Sequence, residues 1–425
     1  MKALKGNIVH TPEFGKLETY EQHYIIEDQG KVVSITPELS SEYQGIEVID
    51  YGDQLIIPSF VDIHLHAPQY GNIGMGLDLP LLPWLKTYTF PEEAKYHKES
   101  YAKKMYQQLL RDLYNFGTLR SCVFSSLHAD GTIELMNIFD QAGLSAYIGK
   151  VNMDRNSNEE YVEVSAKESI ADTLKVLDAF SSVSERIKPI LTPRFIPTCT
   201  DELMIMIGKL AQSRDLAIQT HLNENLDEIE WVKELAPDST GYLNAYERHG
   251  SLIPHRTILA HSIYNKDDEL DIMADQQLYV GHCPSSNVNL MSGVAKVKQM
   301  IKRGIPVGLG SDIAAGDSLN MLDNMKDSIK ASKLLSLYDG DESDVITFDE
   351  AFFLATRGGG SFFGNTGSFV PGATFDALII DDSSYRINKL SLAERLEMLI
   401  YRGDDRQIVE RYLDGNLLKV PFENK

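Results

Sequence analysis

Residues 60–70 of the chain are Phe60-Val61-Asp62-Ile63-His64-Leu65-His66-Ala67-Pro68-Gln69-Tyr70. They continue an apolar run that begins at residue 55, and they carry two histidines one residue apart. Residues i and i+2 of a β-strand point to the same face, so His64 and His66 would present two imidazoles to one point in space. A divalent metal ion requires such an arrangement, although a chance pair of histidines on a solvent-exposed strand edge would give the same pattern.

Strand-like and helical segments alternate along the chain after this stretch. The strand-like runs lie at about 118–124, 146–151, 189–193, 217–221, 257–261, 278–283 and 305–309. The helical segments between them lie at about 133–142, 162–180, 201–213, 226–235, 268–275 and 295–303. With the opening strand, this alternation predicts an α/β protein in which eight parallel strands close into a (β/α)8 TIM barrel. An open doubly wound sheet is disfavoured because no glycine-rich phosphate-binding motif follows a strand.

Both ends of the chain carry short strand patterns instead of this alternation. Residues 24–35 form two β-rich runs around Asp28-Gln29-Gly30, a sequence typical of a hairpin turn. Further strand patterns lie at about 46–50, 373–380 and 408–413. We predict one small β-sandwich-like domain built from residues 1–60 and 366–425, beside a catalytic barrel of residues 61–365.

Four of the eight predicted strands end in histidine or aspartate. The first strand ends at His64 and His66, the fifth at His221, the sixth at His261 and the eighth at Asp312. The carboxyl ends of barrel strands converge on one mouth. A single histidine at a strand end is usually structural, but this set predicts a shared site. Neutral imidazoles with one carboxylate suit zinc or another borderline divalent ion.

Four further residues are candidates for the same mouth. Glu224 lies three residues after His221, so its carboxylate could carry protons beside the metal, or it could be an acid favoured by a helix dipole. Arg194 and Phe195 follow the fourth strand and suit a planar ligand with a carbonyl, unless Arg194 pairs with a surface acid. The amide of Gln69 can donate and accept hydrogen bonds at once.

Composition limits the partners and the compartment. The chain has 425 residues, 43% of them apolar and 24% charged, as in an ordinary globular protein. Its formal net charge of -22 disfavours a nucleic-acid polymer as partner. The three cysteines have no Cys-x-x-Cys spacing, which fits a reducing compartment. Because no apolar run approaches the ~20 residues of a membrane span, we predict a cytoplasmic protein without a membrane partner.

The motifs of this chain resemble those of the amidohydrolase superfamily of metal-dependent hydrolases, and within it the guanine deaminase family. The superfamily pattern is carried by HLH at 64–66, by His221, His261 and Asp312, and by HCPSSN at 282–287. The narrower pattern is carried by HAPQY at 66–70, GLDLPLL at 76–82, YTFPE at 88–92 and TPRF at 192–195.

This resemblance implies one zinc ion per subunit, with Fe2+ as an alternative, and hydrolysis of guanine to xanthine and ammonia by a homodimer. The implied metal ligands are His64, His66, His221 and Asp312. The implied catalytic residues are Glu224, His261 and Asp312. The implied contacts to the purine are His66, Gln69, Arg194, Phe195, His221 and Asp312.

Three alternatives stay open at the level of the sequence. The first is a related deaminase that acts on another purine, a triazine or a pyrimidine ring. The second is a barrel without activity that serves as a scaffold, although such relatives typically lose the metal ligands that this chain keeps. The third is a hydrolase of cyclic amides, which the absence of a ligand lysine on the fourth strand disfavours.

Overall fold

Eight parallel strands form a barrel in the computed structural model, which describes residues 1–422. They are β5 (Phe60–His66), β6 (Thr118–Phe124), β7 (Ser145–Gly149), β9 (Ile187–Pro193), β10 (Ala217–Leu222), β11 (Thr257–His261), β12 (Tyr279–His282) and β13 (Val307–Leu309). The last strand meets the first at their carboxyl ends. There the Asp312 N–H donates to the carbonyl of His64 over 2.9 Å, and the His66 N–H donates to the carbonyl of Ile313 over 3.1 Å. The predicted (β/α)8 barrel is confirmed.

Helices separate the strands as the sequence predicts. They are α1 (Leu81–Trp84), α2 (Phe90–Ala94), α3 (Glu99–Asn115), α4 (Ala129–Ala142), α5 (Ala166–Ala179), α6 (Asp201–Arg214), α7 (Leu226–Leu235), α8 (Tyr242–Arg248), α9 (Asp267–Asp275), α10 (Pro284–Asn289), α11 (Val297–Lys302), α12 (Met321–Asp339), α13 (Phe348–Phe353) and α14 (Leu392–Arg402). Within residues 1–422, none of them combines the length and apolarity needed to span a bilayer.

The third strand differs from its predicted extent of 146–151. It ends at Gly149, and a separate two-residue strand, β8 (Val151–Asn152), pairs with β9. Lys150 lies between the two strands, where its buried ammonium group pairs with Glu163 and donates to the carbonyl of Val151 over 2.9 Å. The strand pairing with β9 is therefore interrupted at Lys150, whose side chain pairs with the buried Glu163.

Both chain ends contribute to a second sheet of seven strands in one hydrogen-bonded order. Its strands are β1 (Lys2–Glu13), β2 (Lys16–Asp28), β3 (Lys31–Thr36), β4 (Glu47–Pro58), β14 (Ala377–Ile380), β15 (Ile408–Leu413) and β16 (Asn416–Leu417). The turn between β2 and β3 places Gln29 and Gly30 at positive φ, 51° and 78°, as a tight hairpin requires. The domain boundaries stay a prediction, and residues 423–425 of the predicted C-terminal part lie outside the described residues.

A buried arginine joins the barrel to this second sheet. Arg120 on β6 donates to the carboxylate of Asp376 over 2.6 and 3.1 Å, and to Asp414 over 2.6 Å. Arg120 and Asp376 are both buried, while Asp414 is partly exposed. A buried ion pair of this kind holds two layers in register, because separating the charges inside the protein is expensive.

We expect Arg120→Ala to lower the free energy of unfolding by about 3–5 kcal/mol, because the variant leaves the Asp376 carboxylate buried without its cation. Chemical denaturation of wild type and variant measures the difference. Arg406→Ala is the matched control, since Arg406 also pairs with an aspartate, Asp404, but is itself exposed. The control should leave stability near that of the wild type, because solvent screens an exposed ion pair. Equal losses in the two variants would contradict this account of the joint.

Candidate metal centre and active site

Three histidines and one aspartate converge at the carboxyl ends of the barrel strands. The ligand nitrogens of His64, His66 and His221 lie within 4.8 Å of one another, and the Nε2 atoms of His66 and His221 are 3.1 Å apart. Oδ1 of Asp312 lies 3.2 Å from Nε2 of His64 and 3.4 Å from Nε2 of His66. All four side chains are buried. The structure thus brings together the four residues that the sequence predicts as metal ligands.

Hydrogen bonds beneath this cluster fix strand β5 against the end of β13. The buried carboxylate of Asp62 accepts the backbone N–H groups of His64 and Ser311, over 3.1 and 3.0 Å. Burial raises the pKa of Asp62 to about 6, against hydrogen bonds that favour its charged form. Asp312 has a φ of 48°, a left-handed conformation that glycine favours, so the surrounding contacts must hold it there.

Two of the histidines are oriented through their second ring nitrogen. Nδ1 of His221 donates to the carbonyl of Arg194 over 2.6 Å, which turns its Nε2 towards the cluster. Nδ1 of His261 lies 2.9 Å from the side-chain oxygen of Asn287. Nε2 of His261 then lies 3.4 Å from Oε2 of Glu224 and 3.8 Å from Oδ2 of Asp312. Such outer partners fix the tautomer and aim of a metal-ligating imidazole.

The cluster fits a divalent metal ion. Burial and the neighbouring imidazoles lower the pKa of His66 and His221 well below the ordinary value, so both rings are neutral donors. Burial opposes the charge of Asp312, but His64, His261 and the hydroxyl of Ser286 together outweigh it and lower the pKa of Asp312 to about 2. The Nε2 atoms of His64 and His261, which face Asp312, are buried without a hydrogen-bond partner among residues 1–422. A shared cation would satisfy such groups, and three imidazoles with one carboxylate suit zinc.

Cys283 is the remaining soft donor nearby. A second possible ligand group contains it together with His64, His261 and Asp312. Burial raises the pKa of the Cys283 thiol well above its ordinary value, and Sγ donates to the carbonyl of Gly281 over 3.4 Å. A protonated, hydrogen-bonded thiol is a packed core group.

Glu224 points into the mouth of the barrel and does not lie on a helix. Helix α7 begins after it, and its cap is formed by Asn225 together with Glu228, whose carboxylate accepts the Glu224 N–H over 3.0 Å. Oε1 of Glu224 accepts from the hydroxyl of Ser292 over 3.3 Å. Burial and, next, the charge of Asp312 raise the pKa of Glu224 well above its ordinary value. The protonated form of Glu224 is thus favoured relative to that of a free glutamate, and its place before α7, facing the cavity, does not fit an acid in the first turn of a helix.

A cavity lies directly above the cluster. Its outer wall is formed by Leu81, Trp84 and Leu85, from the segment that follows the first barrel strand. The indole N–H of Trp84 donates to the carbonyl of Met75 over 2.9 Å, which anchors this segment. The other lining residues are His66, Gln69, Arg194, Phe195, His221, Glu224, His261, Asp312 and Ala315. Eight of the nine site residues predicted from the sequence line this one cavity. The ninth, His64, lies beneath the cavity in the histidine cluster.

Sequence reasoning missed Glu93 of α2. This fully buried carboxylate accepts from Nη1 of Arg194 over 2.8 and 3.0 Å and from Nε2 of Gln69 over 2.8 Å. Oε1 of Gln69 accepts the N–H of Ala314 over 2.9 Å. Arg194 therefore does not pair with a surface acid. The sequence feature that could have indicated Glu93 is its position directly after Phe90-Pro91-Glu92, in a segment rich in apolar residues.

An eight-stranded parallel barrel whose strand ends gather three imidazoles and a carboxylate is the architecture of a metal-dependent hydrolase. The family model described as "Amidohydrolase family" matches residues 55–418 of the chain. Guanine deaminase of Dictyostelium discoideum is 37% identical over 99% of this chain and 98% of its own. Guanine deaminase of Homo sapiens is 34% identical over 99% and 97%.

A solved structure gives the same family. The crystal structure of guanine deaminase from C. acetobutylicum, with guanine bound in its active site, superposes with a TM-score of 0.95 at 42% identity, and the match covers 98% of this chain and 100% of that one. The chain belongs to the amidohydrolase family, and within that family to the guanine deaminases.

We expect protein stripped with a chelator to bind about one zinc ion per chain, because the four ligands form a single cluster. His64→Ala should abolish this binding. His282→Ala is the matched control, since His282 is also buried at a barrel strand end but lies 3.1 Å from the Ser328 hydroxyl and outside the cluster. Isothermal titration and elemental analysis measure the stoichiometry. Full zinc binding by His64→Ala would contradict the assignment.

Proposed function

We propose that this protein is a zinc-dependent guanine deaminase, which converts guanine and water to xanthine and ammonia in purine salvage or catabolism. The observation that carries the proposal is that one cavity is lined by the buried acid Glu224, by the histidine cluster, and by the hydrogen-bond donors Arg194 and Gln69. The match to guanine deaminases over almost the whole chain supports guanine as the substrate.

Zinc is the proposed ion, with Fe2+ as the alternative, and His64, His66, His221 and Asp312 would hold it. When bound there, the ion supplies the acidification that makes water a nucleophile near neutral pH. The residues of this chain would then manage the protons and the position of the base.

Proton transfers by three side chains balance the reaction. Asp312, aided by His261, takes the first proton of water as its oxygen bonds to C2 of the ring. Glu224 gives its proton to the ring nitrogen beside C2, so that negative charge does not build up in the purine. Asp312 returns its proton to the exocyclic amine, which leaves as ammonia. The hydroxyl proton on C2 passes to Glu224 as the carbonyl of xanthine forms, which restores the starting state.

Arg194 and Phe195 would orient the base. The free guanidinium N–H groups of Arg194 suit the O6 carbonyl of guanine, whereas adenine presents an amine there, and two donors would then face each other. The ring of Phe195, buried at the wall of the cavity, offers an apolar surface to the purine. The wall of Leu81, Trp84 and Leu85 would exclude bulk water from the reacting carbon.

The resemblance also implies a homodimer in the cytoplasm, and both statements stay predictions. The strongly acidic chain supports a small neutral substrate over a nucleic-acid polymer, because its net charge of -22 repels phosphates.

We expect the purified protein to release ammonia from guanine, and Glu224→Gln to lower kcat by about 10²- to 10⁴-fold, because the amide cannot carry the proton. The change of ultraviolet absorbance from guanine to xanthine measures turnover. Asp227→Asn is the matched control, since Asp227 is an exposed acid on the first turn of α7.

Near wild-type turnover by Glu224→Gln would remove the proposed proton transfer. Failure of the zinc-loaded wild type to act on guanine, with turnover of a triazine or another purine instead, would overturn the substrate assignment.

A further inference from the structure

Glu93 connects the donors of the cavity to the segment that covers it. It lies on α2, directly after the stretch that supplies Leu81, Trp84 and Leu85 to the cavity wall. Its carboxylate contacts Arg194, which follows the fourth barrel strand, and Gln69, which follows the first. A single buried acid thus sets the position of two side chains that come from separate loops.

The contacts of Glu93 extend to the metal cluster through these two partners. Gln69 accepts the N–H of Ala314, two residues after Asp312, over 2.9 Å. The carbonyl of Arg194 accepts from Nδ1 of His221 over 2.6 Å. Displacing Arg194 or Gln69 would therefore disturb the mouth of the barrel as well as the cavity wall.

Glu93 also changes the electrostatics of the cavity. Arg194 is buried, with its guanidinium 5.1 Å from the centroid of the Phe90 ring. Burial disfavours its charge, but Glu93, with smaller contributions from Tyr161 and Asp312, raises the pKa of Arg194 above its ordinary value. The cation and the carboxylate together present no net charge to the cavity. Among residues 1–422, only Nη1 of Arg194 has a hydrogen-bonded side-chain partner, which leaves Nε and Nη2 for a ligand.

We infer that Glu93 is a positioning residue that makes this cavity specific for an uncharged ring carbonyl. It fixes the donors of Arg194 and Gln69 towards the ligand, and it cancels the charge through which Arg194 would otherwise attract anions. Without Glu93, the same arginine becomes an uncompensated buried cation, which binds a carboxylate in preference to a neutral carbonyl. The identity of that carbonyl as O6 of guanine rests on the proposed function.

Glu93→Gln tests the inference, because the amide keeps the shape and removes the charge. We expect KM for guanine to rise about 10- to 100-fold with a smaller change in kcat, since the loss falls on ligand positioning. We expect the affinity for benzoate, a planar aromatic anion measured by isothermal titration, to rise about tenfold or more. A guanine KM within about twofold of wild type together with unchanged benzoate affinity would overturn the inference.

Two further variants separate the effect of the Glu93 charge from the effect of the length of its side chain. Glu93→Asp keeps the charge but is one methylene shorter, so KM for guanine should rise without a gain in benzoate affinity. The double variant Glu93→Gln/Arg194→Gln removes both charges, and the gain in benzoate affinity should vanish. If Glu93→Gln does not fold, these two variants carry the test. An unchanged KM in Glu93→Asp, or tighter benzoate binding in the double variant, would contradict the inference.

Glu163→Gln is the matched control, because Glu163 is also a buried glutamate in an ion pair, with Lys150, but does not line the cavity. Glu163→Gln should leave the guanine KM and the benzoate affinity near their wild-type values. If it changes both as much as Glu93→Gln does, the loss of any buried acid would have the same effect, which would contradict the inference. If the wild type does not turn over guanine, the proposed function is wrong but the inference about Glu93 is still tested. The benzoate affinities of the variants measure the effect of the Glu93 charge without any turnover.

Discussion

The hydrogen bond between the Asp312 N–H and the His64 carbonyl joins the last barrel strand to the first, and the site depends on this joint. Parallel strands place their carboxyl ends at one mouth only if the sheet closes. Asp62 strengthens the joint from below, since its buried carboxylate accepts N–H groups from both strands. Ligands that are almost 250 residues apart in sequence thereby come within 3.2 Å of each other.

Above that joint, the protein places buried polar side chains around one cavity. A buried charge is tolerated only when it is paired, neutralised or bound to a metal. The imidazoles of His66 and His221 are neutral, burial raises the pKa of Glu224, and Arg194 faces Glu93. The Arg194–Glu93 pair therefore offers directional donors without a net charge, which suits a neutral, polar, planar ring better than an anion.

Much of this site is encoded in local sequence patterns. The spacing of His64 and His66 and the alternation of strands with helices follow the period of each element, so they predict the barrel and a shared site at its strand ends, while the set of four ligands is implied by the family resemblance. Glu93 could not be found in this way, because its partner Arg194 is 101 residues away and only folding makes them neighbours. Helix α12 was also missed, since Leu337 and Tyr338 are exposed and its apolar residues form no single stripe.

A crystal structure of Glu224→Gln with zinc and guanine, with anomalous data collected at the zinc edge, tests the account most directly. The account predicts one anomalous peak among His64, His66, His221 and Asp312. It also predicts that O6 of the base contacts Arg194 and that C2 faces residue 224. A peak outside this cluster, or a base bound with C2 turned away from residue 224, would contradict it.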